Sequence, residues 1–223
     1  MARDPKLATE AMPLPAQTVP FASSAANTRR STVDIDVLLT KAAVDFQNPP
    51  ADNPDTLIGS NLEALREAVG VDNFFVARFN AQRDCIGHVV GASSLFASFN
   101  PAVFAGEQLA ALPYLRDRLE HLRVIEMRDT AQPRRDLVAE AARFGSVQVG
   151  AVLLAGFAVR GRIEGFIALC STRPREGWDA NLHLMLKLLA SSYASGLERD
   201  HFRTHFEDLE ERSELALYGA NDG

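Results

Sequence analysis

Residues 149–159 form an uninterrupted apolar run, and residues 163–170 form a second, mostly apolar segment separated from it only by Arg160-Gly161-Arg162. Two such segments joined by so tight a turn pair as an antiparallel hairpin, with Gly161 placed where a positive φ costs least. The longer run contains two glycines and falls well short of the roughly 20 residues needed to cross a bilayer. It reads as a buried strand, and the remainder of the chain is read around this hairpin.

Upstream, Ile35, Leu38, Leu39, Ala42, Ala43 and Phe46 recur on one helical stripe that Pro49-Pro50 closes. Asn53 is a predicted N-cap with Pro54 in the first helical position, and Ile58, Leu62, Leu65 and Val69 form a second stripe ending at Gly70. Periodicity then changes, predicting strands over 74–79 and 85–90 about a turn at 80–84. After an irregular stretch over 93–104, Leu109, Leu112, Leu115, Leu119 and Leu122 give helical spacing around Pro113. A short strand over 124–127, a helix over 136–144 and the 147–159/163–170 hairpin follow. Asp179 is read as the N-cap of a last long helix carrying Leu182, Leu186, Leu189, Tyr193 and Leu197 on one stripe. Phe202, Phe206 and Leu209 continue that spacing into a highly charged stretch, as in a helix with a narrow seam that wants a partner. The predicted class is α+β, a central antiparallel sheet with helices packed on it.

Length and charge narrow the function. A chain of 223 residues suits one domain with extensions. The net charge of −6 offers no basic field for nucleic-acid phosphates, so neither nucleic acid nor membrane is an expected partner. The first residues lack the apolar core of a secretory signal. Cys85 and Cys170 each stand alone in apolar segments, the usage of reduced core thiols in a cytoplasmic protein, and no paired-cysteine zinc pattern occurs.

Five segments, in order, resemble GAF domains of bacterial sensor proteins: Leu112-Pro113-Tyr114-Leu115-Arg116-Asp117-Arg118-Leu119; Val124-Ile125-Glu126-Met127-Arg128-Asp129; Gly161-Arg162-Ile163-Glu164-Gly165-Phe166; Arg173-Pro174-Arg175-Glu176-Gly177-Trp178; and Gly196-Leu197-Glu198-Arg199. The similarity spans roughly residues 34–200 and departs in the fourth strand, where Ala151 and Gly156-Phe157 replace a Ser and a Pro-Leu pair. The tail over 211–223 is similar to the linker helix and opening residues of a PAS domain, as found between GAF and GGDEF or EAL domains in cyclic-di-GMP signalling proteins. Residues 1–31 carry four prolines and little periodicity and are expected to form a flexible leader, while the resemblance implies a GAF domain over 32–200, a coiled-coil-like connector helix over 201–217 and the start of a PAS-like domain over 218–223. It implies a fragment from the N-terminal end of a larger protein.

GAF domains bind small molecules or chromophores between sheet and overlying helices, and many dimerise through their terminal helices. The resemblance places Tyr114 and Arg118 on a helix that lines the cavity, Arg128 and Asp129 at the end of the third strand, and Phe96 and Phe99 in an apolar wall. The plainer assignment is that Asp129 caps the next turn and Arg118 is solvated. Bilin-binding relatives attach chromophore through a Cys followed by His; Cys85-Ile86 and Cys170-Ser171 do not fit, and no covalent bilin is expected. The cofactor is otherwise unassigned. The Asn-Lys, Phe and Asp-Glu set of cyclic-nucleotide binders is missing after Asp136, and His201 and His205, four apart, lack companion ligands for a metal. The expected function is a non-catalytic sensory module that binds a small ligand, forms a homodimer, or both, and signals through its last helix to downstream domains. The alternatives are a purely structural dimerisation domain and a thiol-dependent free methionine sulfoxide reductase using Cys85 and Cys170.

Overall fold

The computed structural model describes residues 24–50, 53–94 and 99–221. Helices α1 (Ser24–Gln47) and α2 (Pro54–Val69) precede the strands β1 (Asn73–Phe79) and β2 (Ile86–Ser93). Two short 3-10 turns, Pro101–Phe104 and Leu109–Ala111, lead to α3 (Pro113–Glu120). Then come β3 (Ile125–Met127), α4 (Val138–Ser146), β4 (Ala151–Val159), β5 (Arg162–Ser171) and α5 (Ala180–Asn221). The strands form one five-stranded sheet, ordered β2-β1-β5-β4-β3, in which all neighbours are antiparallel.

Local chemistry sets several boundaries. Asn53 accepts the Thr56 N–H at 3.2 Å to open α2, and Asp179 accepts that of Asn181 at 2.7 Å to open α5, as the residue types predict. The strand expected over 147–159 starts four residues later. Val147 to Gly150 carry the chain back from α4, with Gln148 at φ 61° and its N–H donating to the Gly145 carbonyl. Leu109 falls in a 3-10 turn instead of the helix, because Pro113 has no N–H to donate and holds Leu112 at φ −125°, ψ 64°. Helix α1 begins at Ser24, inside the segment expected as leader, whose first 23 residues lie outside the described ones.

The sheet is apolar on both faces, which explains why β4 reads as a continuous run. Alternate side chains divide it: Phe74, Val76, Leu153, Phe157, Ile167 and Leu169 meet α1, α2 and α5, whereas Phe75, Ala77, Val152, Leu154, Phe166 and Cys170 meet α3, α4 and the 3-10 turns. On the first face, Phe46 and Phe157 both set their rings edge-on to Tyr193, at 5.8 and 5.1 Å. Here α1 and α5 approach closely. A Cβ at Gly196 would stand 2.0 Å from the Phe46 carbonyl oxygen, so only glycine fits. Beyond this contact α5 continues without a break, and Phe202, Phe206 and Leu209 are about half exposed. No helix among the described residues is long and apolar enough to cross a membrane.

Candidate functional site

The site is built where α3 and α4 meet above the β3 end of the sheet. A helix beginning at Pro113 leaves its first N–H groups without intrahelical partners. Glu140, on α4 and 1 % exposed, supplies the acceptor: its Oε1 takes the N–H of Tyr114 at 2.8 Å and of Leu115 at 3.1 Å. The arrangement places a carboxylate at the positive end of the helix dipole. The other oxygen, Oε2, is buried without a partner.

Tyr114, half-buried beside this cap, carries two guanidinium groups over its ring. Arg118, one turn along α3, lies 5.0 Å from the centroid and Arg134, from the loop between β3 and α4, lies 5.9 Å away. Arg134 also donates to Tyr114 Oη at 3.3 Å and forms a two-point pair with Asp136, at 3.1 and 2.5 Å. That pairing holds the Asp136 carboxyl below its ordinary range, with the Arg118 charge adding to the effect. Arg118 Nε is buried and unpartnered.

Arg134 joins this stack to a polar cleft of about 360 Å³ lined also by Glu126, Arg128, Asp129, Gln132 and Leu137. Arg128 donates to Glu126 at 2.6 Å, and Glu126 lies 3.5 Å from His183 of α5. Asp129 accepts the Ala131 N–H at 2.8 Å, so it does cap the next turn while facing the cleft. Of the residues singled out in the sequence, Tyr114 and Arg118 are therefore in one stack, and Arg128 and Asp129 line the adjoining cleft. Phe99 is elsewhere: it is buried against Phe104 at 5.7 Å, and its carbonyl accepts from Asn73 at 3.0 Å. Phe96 lies outside the described residues.

Two residues central to this geometry, Arg134 and Glu140, were not singled out. The Arg-Arg-Asp sequence at 134–136 carries a short-range pairing signal, but nothing local marks Glu140 as buried, since its partners are backbone groups 25 and 26 residues away. Beneath the site the face is filled. Phe75, Phe99 and Phe144 all lie within 5.7 Å of Phe104, measured between ring centroids, and Phe75 meets Phe166 at 6.2 Å.

The two cysteines stand at opposite ends of β1. Cys170 is opposite Asn73, while Cys85 immediately precedes Ile86, which is opposite Phe79. Their separation is then roughly 20 Å at about 3.3 Å per residue, too far for a disulfide. Burial pushes both thiols up, most strongly Cys170, and the charge of Asp84 adds to the shift at Cys85. Among the described residues, no three His, Cys, Asp or Glu side chains are grouped to hold a metal ion. His201 and His205 are both exposed on α5.

Comparison with solved structures gives the fold a name. The phycocyanobilin-bound GAF domain from a cyanobacterial phytochrome is similar over 77 % of this chain and 97 % of its own, with a TM-score of 0.62 and 13 % identity. A phycoerythrobilin-bound GAF domain from a cyanobacterial phytochrome gives 0.61, also at 13 % identity, over 77 % of this chain and 98 % of its own. The blue-light absorbing form of the Thermosynechococcus elongatus PixJ GAF domain gives 0.51 at 15 % identity, over 85 % and 98 %. No protein-family model matches the chain, and neither does any curated protein. The architecture is the GAF fold.

Proposed function

We propose that the chain is a non-catalytic sensory module of the cytoplasm. It takes a small ligand non-covalently in the cleft beside Arg128, Asp129 and Arg134, pairs with a second copy through α1 and α5, and passes its state along α5. The observation that carries this reading is the continuity of α5. One helix contributes Leu186, Leu189 and Tyr193 to the core, approaches the cleft through His183 and Glu126, and continues as an exposed Phe202, Phe206 and Leu209 seam. Val37 and Val44 of α1 and Leu184 and Leu188 of α5 extend this exposed apolar surface alongside the body. A ligand that favours one packing of paired helices biases whatever follows by its differential affinity for the two states.

The bilins bound by structurally similar GAF domains support a small-molecule ligand for this chain, and the cleft of about 360 Å³ is at the small end of ligand pockets, which run from about 300 to 1,000 Å³. The downstream output is read from the PAS-like tail as a PAS domain followed by a diguanylate cyclase or cyclic-di-GMP phosphodiesterase. A thiol reductase is disfavoured because its chemistry needs an accessible thiolate, whereas both thiols here are shifted toward the protonated form.

Light scattering on the full chain and on a chain ending at Leu197 tests the pairing, with a dimer expected for the former and weaker association for the latter. A monomer at high concentration in both cases overturns it. Thermal shift against nucleotides and metabolites tests ligand binding, since a ligand specific for the folded state raises the melting temperature. The phenylalanine-filled face favours one second reading, a structural dimerisation domain, which predicts a dimer and no hit in that screen. Reading the encoded sequence beyond Gly223 tests the output assignment.

A further inference from the structure

A separate cleft of about 360 Å³ lies at the opposite end of the α3 face, between the β1–β2 turn, the β4–β5 turn and the last residues of α3. Phe79, Leu119 and Ile163 give it apolar walls, and Arg83, Arg116 and Arg162 line it with Glu120 as the opposing charge. The pairing leaves positive charge in hand. Arg116 meets Glu120 at 3.5 Å, and Arg83 meets Glu164 through Nη2 while its Nε is buried and unpartnered. The Arg162 side chain has no ion-pair partner among the described residues.

The β4–β5 turn connects this cleft to the other side of the sheet. Arg160 and Gly161 occupy its two central positions with φ of 51° and 75°, the conformation of a tight two-residue hairpin whose flanking residues Val159 and Arg162 pair. Arg160 reaches away from the cleft and sets its guanidinium 4.7 Å from the ring of Phe202 on α5. Two arginines one glycine apart thus touch the cleft and the exposed seam of the long helix.

We propose that this cleft is a second binding site, for a small organic anion with an apolar body. The body lies on Phe79, Leu119 and Ile163, and the anionic group takes Arg162 and the free donor capacity of Arg83 and Arg116. Occupancy is sensed by α5 through the Arg160–Phe202 contact. The inference stands apart from the ligand reading of the Arg134 cleft and survives its failure.

Phenyl phosphate, titrated into the full 15N-labelled chain, is the probe. Its binding shifts the amide signals of Gly161, Arg162 and Leu119, and those flanking Phe202 move with the same midpoint. Inorganic phosphate and benzyl alcohol, each lacking half of the recognised chemistry, bind at least about tenfold more weakly, as does phenyl phosphate to Arg162→Gln, which removes a charged hydrogen-bonding group. Arg160→Gln retains binding at the cleft and loses the response at Phe202. Both arginines are exposed, so neither substitution disturbs the core. Absence of shifts at the cleft, or equal binding of inorganic phosphate, overturns the site. A Phe202 response that persists in Arg160→Gln overturns the coupling.

Discussion

Under α1, α2 and α5 the sheet meets mainly aliphatic side chains together with Phe46, Trp178 and Tyr193, with backbone pressed against backbone at Gly196. Under α3 and α4 it meets interlocked phenylalanines whose edges carry arginines and carboxylates. The first face fixes helices against the sheet by shape. The second fills its interior by bulk and places its polar groups in clefts around the margin. The proposed function puts transmission on the first face and recognition on the second, and the packing contrast beneath it has consequences for stability.

Phe104→Ala carries the largest expected effect, because Phe104 touches Phe75, Phe99 and Phe144 together. The loss is about 3–5 kcal/mol in chemical denaturation. A cost below about 1 kcal/mol would mean this face collapses readily, removing the contrast in packing. On the other face, Gly196→Ala forces α1 away from α5 and costs about 1–3 kcal/mol, measured in the same way. A neutral result there would show that the terminal helices are not held by close approach.

Glu140 sharpens the comparison at the margin. Glu140→Ala strips the acceptor from two helix N–H groups and costs about 1–3 kcal/mol, while Glu140→Gln keeps an oxygen in place and costs less. Thermal melts of the pair separate the hydrogen-bonding role from the charge.

Alkaline titration distinguishes the two faces by pH. Cys170 lies on the phenylalanine face and Tyr193 on the helical face. Burial raises both pKa values, that of Tyr193 from 10.0 to about 12. An acid whose folded pKa is raised contributes stability fully below its unfolded pKa and loses it as pH rises through the folded one. The Cys170 contribution therefore begins to fall above about pH 9 and that of Tyr193 above about pH 10. In denaturation curves from about pH 8 to 12, Cys170→Ala removes the earlier decline and Tyr193→Phe the later one, each at most about 1.4 kcal/mol per pH unit.

Elements set by local chemistry were legible in the sequence. The 160–162 turn, the Asn53 and Asp179 caps and the two stripes of α1 and α2 all announce themselves within a few residues. Two of the boundaries that moved, at residues 109–113 and 147–151, are ones where a proline or a left-handed residue overrides apolar spacing. The site was legible only in pieces. Tyr114 and Arg118 share a helix face by spacing alone, but the cap from Glu140 and the bridge through Arg134 depend on how two distant helices dock. Phe99 carries an aromatic side chain suited equally to a pocket wall and to a core, and sequence has no means of separating the two.

The unbroken course of α5 makes angular phase the quantity that its protruding end conserves. At 3.6 residues per turn, one residue inserted between Glu198 and Phe202 swings the Phe202, Phe206 and Leu209 stripe by about 100° relative to the sheet, whereas seven return it to nearly its original bearing. A domain joined to this helix would receive orientation from it, and a change in spacer length would alter the output periodically instead of steadily.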